Sequence, residues 1–129
     1  MKQKIIPYSR QYIDEDDINA VTKILRQDII TQGSVNTKFE YNFSKKINSK
    51  YSVSFNSATS ALHASCKALG LGRDSIVWTT SNSFVATSNS ALYCGAKVDF
   101  VDINRQNWNL DVECLEEKLL KSKKINKLP

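Results

Sequence analysis

The organisation of this chain is set by one stretch, Phe55-Asn56-Ser57-Ala58-Thr59-Ser60-Ala61-Leu62. Phe55 ends an alternating segment, small polar residues follow, and apolar residues then recur at helical spacing through Cys66 and Leu69. A strand that turns directly into a helix is predicted. The first amides of a helix have no intrahelical acceptor and lie at the positive end of its dipole, so residues 57–60 are expected to favour an anion such as phosphate. Ordinary N-capping by Ser57 or Thr59 explains the same residues, and the stretch alone leaves both interpretations open.

Three segments carry strand patterns. Tyr51, Val53 and Phe55 alternate with serines, which predicts a strand. Ile76-Val77-Trp78 is a short apolar run, typical of a strand that is buried on both faces of a parallel sheet. Residues 97–102 predict a third strand. Helical patterns lie between and after these strands, so the sequence predicts an α/β fold with a mostly parallel sheet.

The helices of this part have clear ends. Gly70 and Gly95 are placed as C-terminal glycines of the first two, and the third is expected from Val112 to about Leu120. The alternation stops at Pro129, where a further strand is expected. The sequence therefore predicts an ordered unit larger than this chain, because three parallel strands leave an edge unpaired.

The first fifty residues follow a different pattern. An extended arm is expected over 1–13, then a helix that begins at Asp14 and ends near Gln27, and a second helix that repeats apolar residues every four positions from Val35. Gly33, in the loop between the helices, either serves binding or satisfies a positive φ. The predicted domains are an arm with two helices over 1–50, a partial α/β domain over 51–120 and a basic tail over 121–129.

Composition excludes several classes of function. The net charge of +5 comes largely from lysines in the tail, which has no aromatic residues, so no nucleic-acid partner is expected. The chain contains no apolar run long enough to span a membrane and no signal peptide, so a cytoplasmic location is expected. Its 3 cysteines are odd in number and lack a C-x-x-C pair, so neither a disulfide framework nor a metal site is predicted.

A second strand-to-helix turn, Ser81–Ser83, is predicted at the same sheet edge as the first. Open α/β sheets bind ligands at that edge. Phe84 follows the turn and is placed to offer a flat face to a ring whose phosphate rests on residues 57–60, which suits pyridoxal phosphate (PLP) or a nucleotide. Packing of Phe84 in the core is the alternative.

Four motifs together resemble the N-terminal part of the DegT/DnrJ/EryC1/StrS family of sugar aminotransferases. They are Ile30-Thr31-Gln32-Gly33, the stretch 55–62, Ser83-Phe84-Val85-Ala86-Thr87, and residues 91–102. The resemblance implies a fold-type I PLP enzyme that acts as a homodimer. It also implies glutamate as amino donor and a 4-keto nucleotide sugar as acceptor, with pseudaminic acid biosynthesis as the favoured pathway.

The same resemblance assigns site residues. Thr59 and Ser60 would hold the cofactor phosphate, Phe84 would stack on its ring, and Tyr8, Thr31 and Gly33 would contact the substrate. No catalytic residue is assigned, because the family's cofactor-binding lysine and its acidic partner would lie beyond residue 129. The expected protein is therefore inactive alone unless another chain completes it. A small phosphate- or nucleotide-binding domain without catalysis is the alternative, and a folded remnant with no chemistry is a third reading.

Overall fold

A computed structural model describes residues 6–124, apart from the side chain of residue 124. The chain divides into two compact units, Met1–Ser54 and Phe55–Pro129. Each unit is built around its own helices. Within the described residues, no helix is long and apolar enough to cross a membrane.

The first unit contains two helices, α1 (Glu15–Leu25) and α2 (Ser34–Lys46). The predicted start of α1 is confirmed, because the Asp14 carboxylate accepts the amides of Asp16 and Asp17 while Asp17 accepts the amide of Asp14. The helix ends at Leu25, slightly before the predicted end near Gln27. No residue of α1 is buried, so its apolar stripe faces outward in this unit.

Gly33 does not have the positive φ that was offered as one explanation for it. Its φ is −69°, and the left-handed position is the preceding Gln32, with φ of 55°. A Cβ atom at position 33 would lie 2.9 Å from the Ile29 carbonyl oxygen. The glycine is therefore required by close backbone approach rather than by a left-handed conformation.

The predicted strand over Tyr51–Phe55 is wrong. The segment carries no strand, and the sheet of the described residues consists of two other strands. Alternation indicates an extended backbone, but a strand also needs a hydrogen-bonded neighbour, which a local pattern cannot supply. Instead, Glu40 of α2 accepts both the amide and the hydroxyl of Ser54, each at 2.8 Å. The Ser54 amide and hydroxyl lower the pKa of the Glu40 carboxyl.

Apart from the first predicted strand, the second unit has the predicted alternation of helices and strands. Its helices and strands are α3 (Ala58–Ala68), β1 (Ile76–Thr80), α4 (Ala86–Tyr93), β2 (Lys97–Val101) and α5 (Val112–Lys124). Strands β1 and β2 pair in parallel, from Ile76 opposite Lys97 to Thr80 opposite Val101. The predicted α/β class with a parallel sheet is confirmed, and the last helix runs past Leu120 to Lys124.

The core of the second unit is made of small residues. Ala86, Ala91, Cys94, Ala96 and Val101 are buried. Helix α3 packs against α4, and the two C-terminal glycines have the expected left-handed backbone, with φ of 77° at Gly70 and 81° at Gly95. Ile76, Val77 and Trp78 are only half-buried, which corrects the expectation of a strand buried on both faces.

Candidate cofactor site

The N-terminus of α3 combines a capping residue with free donors. The Ser57 hydroxyl accepts the Ser60 amide at 3.2 Å and lies 3.0 Å from the Ser60 hydroxyl. Ser57 is thus the N-cap, and Thr59 is not. The Ala58 and Thr59 amides belong to the first turn, where no intrahelical acceptor exists, and no side chain of the described region accepts them. Capping and an anion site are therefore compatible at this helix.

This terminus suits a phosphate group. Two amides remain to donate to phosphate oxygens, the helix dipole favours negative charge, and neither Asp nor Glu occupies the first turn of α3. Thr59 and Ser60 are half-buried, so their side chains are not sealed from solvent. The residues present at this end of α3 thus fit the phosphate of PLP.

Phe84 lies in the loop between β1 and α4 and is not a core residue. The residue is 75% exposed, so its ring does not pack in the core of this unit. Phe84 and Phe100 line a shallow cleft of about 230 Å³, together with hydroxyl groups of the loop and of α4. The cleft lies beyond the carboxyl ends of β1 and β2, the edge at which open α/β folds bind ligands. A flat ring beside hydroxyl groups suits a polar aromatic ligand.

The structure places the predicted site residues in three locations. Thr59 and Ser60 share the first turn of α3, and Phe84 lies on a loop of the same unit, although neither Thr59 nor Ser60 lines the cleft of Phe84. Tyr8, Thr31 and Gly33 belong to the first unit. There, Tyr8 and Thr31 are exposed and Gly33 is the N-cap residue of α2.

Lys118 of α5 makes contacts with β1 and β2 that were not predicted from the sequence. Its Nζ lies 2.6 Å from the Asp99 carboxylate, donates to the Phe100 carbonyl at 2.6 Å and sits 4.9 Å from the centre of the Trp78 ring. The hydrogen bond from Lys118 is the main cause of a lowered pKa at Asp99. The sequence signal for these contacts is the spacing of three residues between Leu115 and Lys118, which places both side chains on one face of the helix.

His63 is a packing residue between two helices. Its ring meets the edge of Tyr93 at a centroid distance of 5.4 Å in the contact between α3 and α4. Its Nε2 atom is buried and has no hydrogen-bond partner in the described part of the chain. No group that could orient it for catalysis contacts it there.

Comparison with solved structures defines the class of protein. Spr1654 of Streptococcus pneumoniae, provisionally named a sugar aminotransferase and solved in PLP form, matches with a TM-score of 0.83 and 29% identity, covering 87% of this chain and 29% of that one. PseC of Helicobacter pylori, an aminotransferase of pseudaminic acid biosynthesis, matches with a TM-score of 0.80 and 33% identity, covering 88% and 31%. The chain therefore has the fold of part of a PLP-dependent aminotransferase.

The chain belongs to the DegT/DnrJ/EryC1/StrS aminotransferase family, whose model matches residues 11–125. The UDP-4-amino-4,6-dideoxy-N-acetyl-beta-L-altrosamine transaminase of Campylobacter jejuni strain 81-176 is 45% identical over 118 residues, which are 92% of this chain and 31% of that protein. The chain thus spans about a third of the length of the curated relatives it matches.

Proposed function

We propose that this chain forms the N-terminal, cofactor-holding part of a PLP-dependent aminotransferase that moves an amino group from glutamate to a 4-keto nucleotide sugar. The observation that carries the proposal is that one compact unit, in a chain of this family, holds both open amide donors at the N-terminus of α3 and an exposed ring at Phe84. The names of the Campylobacter and Helicobacter relatives support pseudaminic acid biosynthesis as the pathway. Activity is assigned to an enzyme completed by further residues, not to these alone.

In this proposal, different residues of the second unit bind the phosphate and the ring of the cofactor. The free amides of Ala58 and Thr59 and the hydroxyls of Thr59 and Ser60 would donate to the phosphate and so fix one end of the molecule. The Ser60 amide is not counted among these donors, because the Ser57 hydroxyl accepts it. Phe84 supports one face of the pyridine ring. When bound, PLP supplies the electron sink that amino transfer needs, while the protein supplies orientation. A lysine and an acidic residue outside this sequence complete the site in this proposal.

Substrate contacts are proposed for the first unit. Thr31 and Gly33 are assigned to the nucleotide sugar by their place in the family motif over residues 30–33, and Tyr8 is proposed as a further contact. The exposure of Tyr8 and Thr31 leaves both available for contact. The complete enzyme is proposed to be a homodimer. A separate C-terminal chain is the other arrangement that would supply the missing catalytic residues.

One solved structure with a similar fold is named for a different reaction. A GDP-4-keto-6-deoxymannose-3-dehydratase with a trapped PLP-glutamate geminal diamine matches with a TM-score of 0.79 and 26% identity. That protein is a dehydratase, so the fold serves both amino transfer and loss of a hydroxyl group. Amino transfer is preferred here because the Campylobacter transaminase is 45% identical.

A chimaeric enzyme tests the proposal. This chain would replace the matching segment of the Campylobacter transaminase, and the product from glutamate and the UDP-linked 4-keto sugar would be identified by mass spectrometry. We expect an amino sugar and 2-oxoglutarate. Thr59→Val and Phe84→Leu should lower retained PLP and activity about tenfold, since each removes one cofactor contact.

A matched substitution controls for general effects of losing a threonine hydroxyl. Thr22 donates its hydroxyl to the Ile18 carbonyl on α1, so Thr22→Val should leave PLP content unchanged. A chimaera that folds cooperatively but retains no PLP would contradict the proposal. A deoxygenated sugar without nitrogen would assign the dehydratase reaction instead. Phosphate binding by the native chain, with no preference for PLP, would favour the binding-domain alternative.

A further inference from the structure

The loop that carries Phe84 is fastened on both sides of that residue. The Asn82 amide donates to the Thr80 hydroxyl at 3.1 Å, and the hydroxyls of Ser83 and Thr87 lie 2.8 Å apart. The Thr87 amide donates to the Phe84 carbonyl at 2.9 Å. The backbone is therefore held while the ring of Phe84 stays exposed.

A second loop, between β2 and α5, closes into a tight turn. The Asn104 amide donates to the Asn109 carbonyl at 2.8 Å, and the Trp108 amide donates to the Asn104 carbonyl at 2.9 Å. Trp108 has a φ of 63°. A left-handed backbone is costly for a bulky side chain, by roughly 1–3 kcal/mol, and persists only where surrounding contacts hold it. The carbonyl of Trp108 therefore has a well-defined position.

A side-chain hydrogen bond joins the two loops. Asn82 donates from its Nδ2 atom to the Trp108 carbonyl at 3.2 Å, across 26 residues of sequence. Asn82 stands two residues before Phe84, in the segment whose backbone bonds are described above. The Asn82 side chain thus links the loop that carries Phe84 to the hydrogen-bonded turn between β2 and α5.

We propose that Asn82 is a positioning residue for the ring-binding face of the cofactor site, acting on Phe84 through its bond to Trp108. The inference rests on the proposed function. An exposed ring on a loose loop must be ordered when a ligand stacks on it, and that ordering reduces affinity. Holding the loop before binding removes part of this cost, whereas the phosphate contacts at α3 do not depend on it.

A matched pair of substitutions in the full chain separates this role from general effects. Asn82→Asp keeps the shape of the side chain but removes the donor to Trp108. Asn107→Asp adds the same charge in the partner loop, yet keeps the oxygen that accepts the Asn109 amide at 3.0 Å. Dissociation constants for PLP and for inorganic phosphate would be measured, together with amide hydrogen exchange of residues 81–85.

We expect Asn82→Asp to weaken PLP binding by about three- to tenfold, the value of one hydrogen bond, and to leave inorganic phosphate binding within twofold of Asn107→Asp. Amide exchange over 81–85 should accelerate by a similar factor only in Asn82→Asp. If that variant unfolds, Asn82→Ala makes the same comparison without the added charge. Asn82→Gln, which retains a donor, should recover part of the PLP affinity.

Three outcomes would overturn the inference in different ways. Native PLP binding with equal affinities for Asn82→Asp and Asn107→Asp would exclude the positioning role while leaving the proposed function intact. No PLP binding by the native chain would contradict the proposed function, and the ligand role of Asn82 with it. Unchanged exchange over 81–85 in Asn82→Asp would refute the coupling of the two loops whether or not PLP binds.

Discussion

Replacing Lys118 by methionine should destabilise the second unit through a single side chain. The substitution removes a bond to the Phe100 carbonyl, an ion pair with Asp99 and a contact with the Trp78 ring, and it keeps most of the apolar stem. A hydrogen bond from a charged group contributes about 1.5–3 kcal/mol. The ion pair contributes about 0–1 kcal/mol, since 58% of the Asp99 side chain is exposed. These two contributions overlap, and water can replace part of each. We therefore expect Lys118→Met to lower the free energy of unfolding by about 2 kcal/mol.

Urea titration followed by circular dichroism and tryptophan fluorescence measures this loss. Lys121→Met is the matched control, because Lys121 lies on the same helix and pairs with Glu117 at 3.3 Å, with both side chains at least 70% exposed. That control should cost less than about 0.5 kcal/mol. Asp99→Asn should cost less than Lys118→Met, since it leaves the carbonyl bond intact. Equal free energies of unfolding for the two lysine variants would show that the Lys118 contacts do not stabilise the second unit.

Two further predictions concern the loop before α2 and the response to acid. Gly33→Ala should destabilise the first unit by about 1–3 kcal/mol, because the new methyl group would meet the Ile29 carbonyl. The control Gly72→Ala has open space around the new methyl group and should change the free energy of unfolding by less than about 0.5 kcal/mol. Equal effects of the two substitutions in urea titration would contradict this prediction. Amides of Cys114 and Glu113 hold the pKa of Asp111 below its ordinary 3.8, so its stabilising effect is present above that value and lost as pH falls through the lower folded pKa. The free energy of unfolding should therefore fall as the pH is lowered through and below this ordinary value of 3.8, and less so in Asp111→Asn, which caps without titrating. An identical slope in that variant would exclude the Asp111 contribution.

Local signals in the sequence predicted local structure well. Asp14 and its acidic neighbours predict the start of α1, and Gly70 and Gly95 predict helix ends, because caps and left-handed glycines depend on adjacent residues only. The prediction of a strand over Tyr51–Phe55 was wrong because a strand does not depend on adjacent residues alone. Its alternation describes an extended backbone, but strand formation depends on a neighbour that the local sequence does not contain.

At the candidate site, too, local features could be predicted from the sequence and features that depend on distant contacts could not. The anion-binding character of residues 57–60 follows from helix geometry, so the sequence predicts it without knowledge of packing. The exposure of Phe84 and the reach of Lys118 to β2 depend on how distant elements pack, and sequence spacing gave only weak signals for them. The bond from Asn82 to Trp108 joins residues 26 apart and had no signal in the sequence.

The proposed function depends on two contacts, the PLP phosphate at the N-terminus of α3 and the pyridine ring on Phe84. A titration of the isotopically labelled chain with PLP, pyridoxal and inorganic phosphate, followed by NMR, tests both contacts at once. We expect PLP and phosphate to shift the amides of Ala58, Thr59 and Ser60, and we expect PLP and pyridoxal to shift the ring resonances of Phe84. Shifts confined to other residues, such as the lysines at the end of α5, would contradict it.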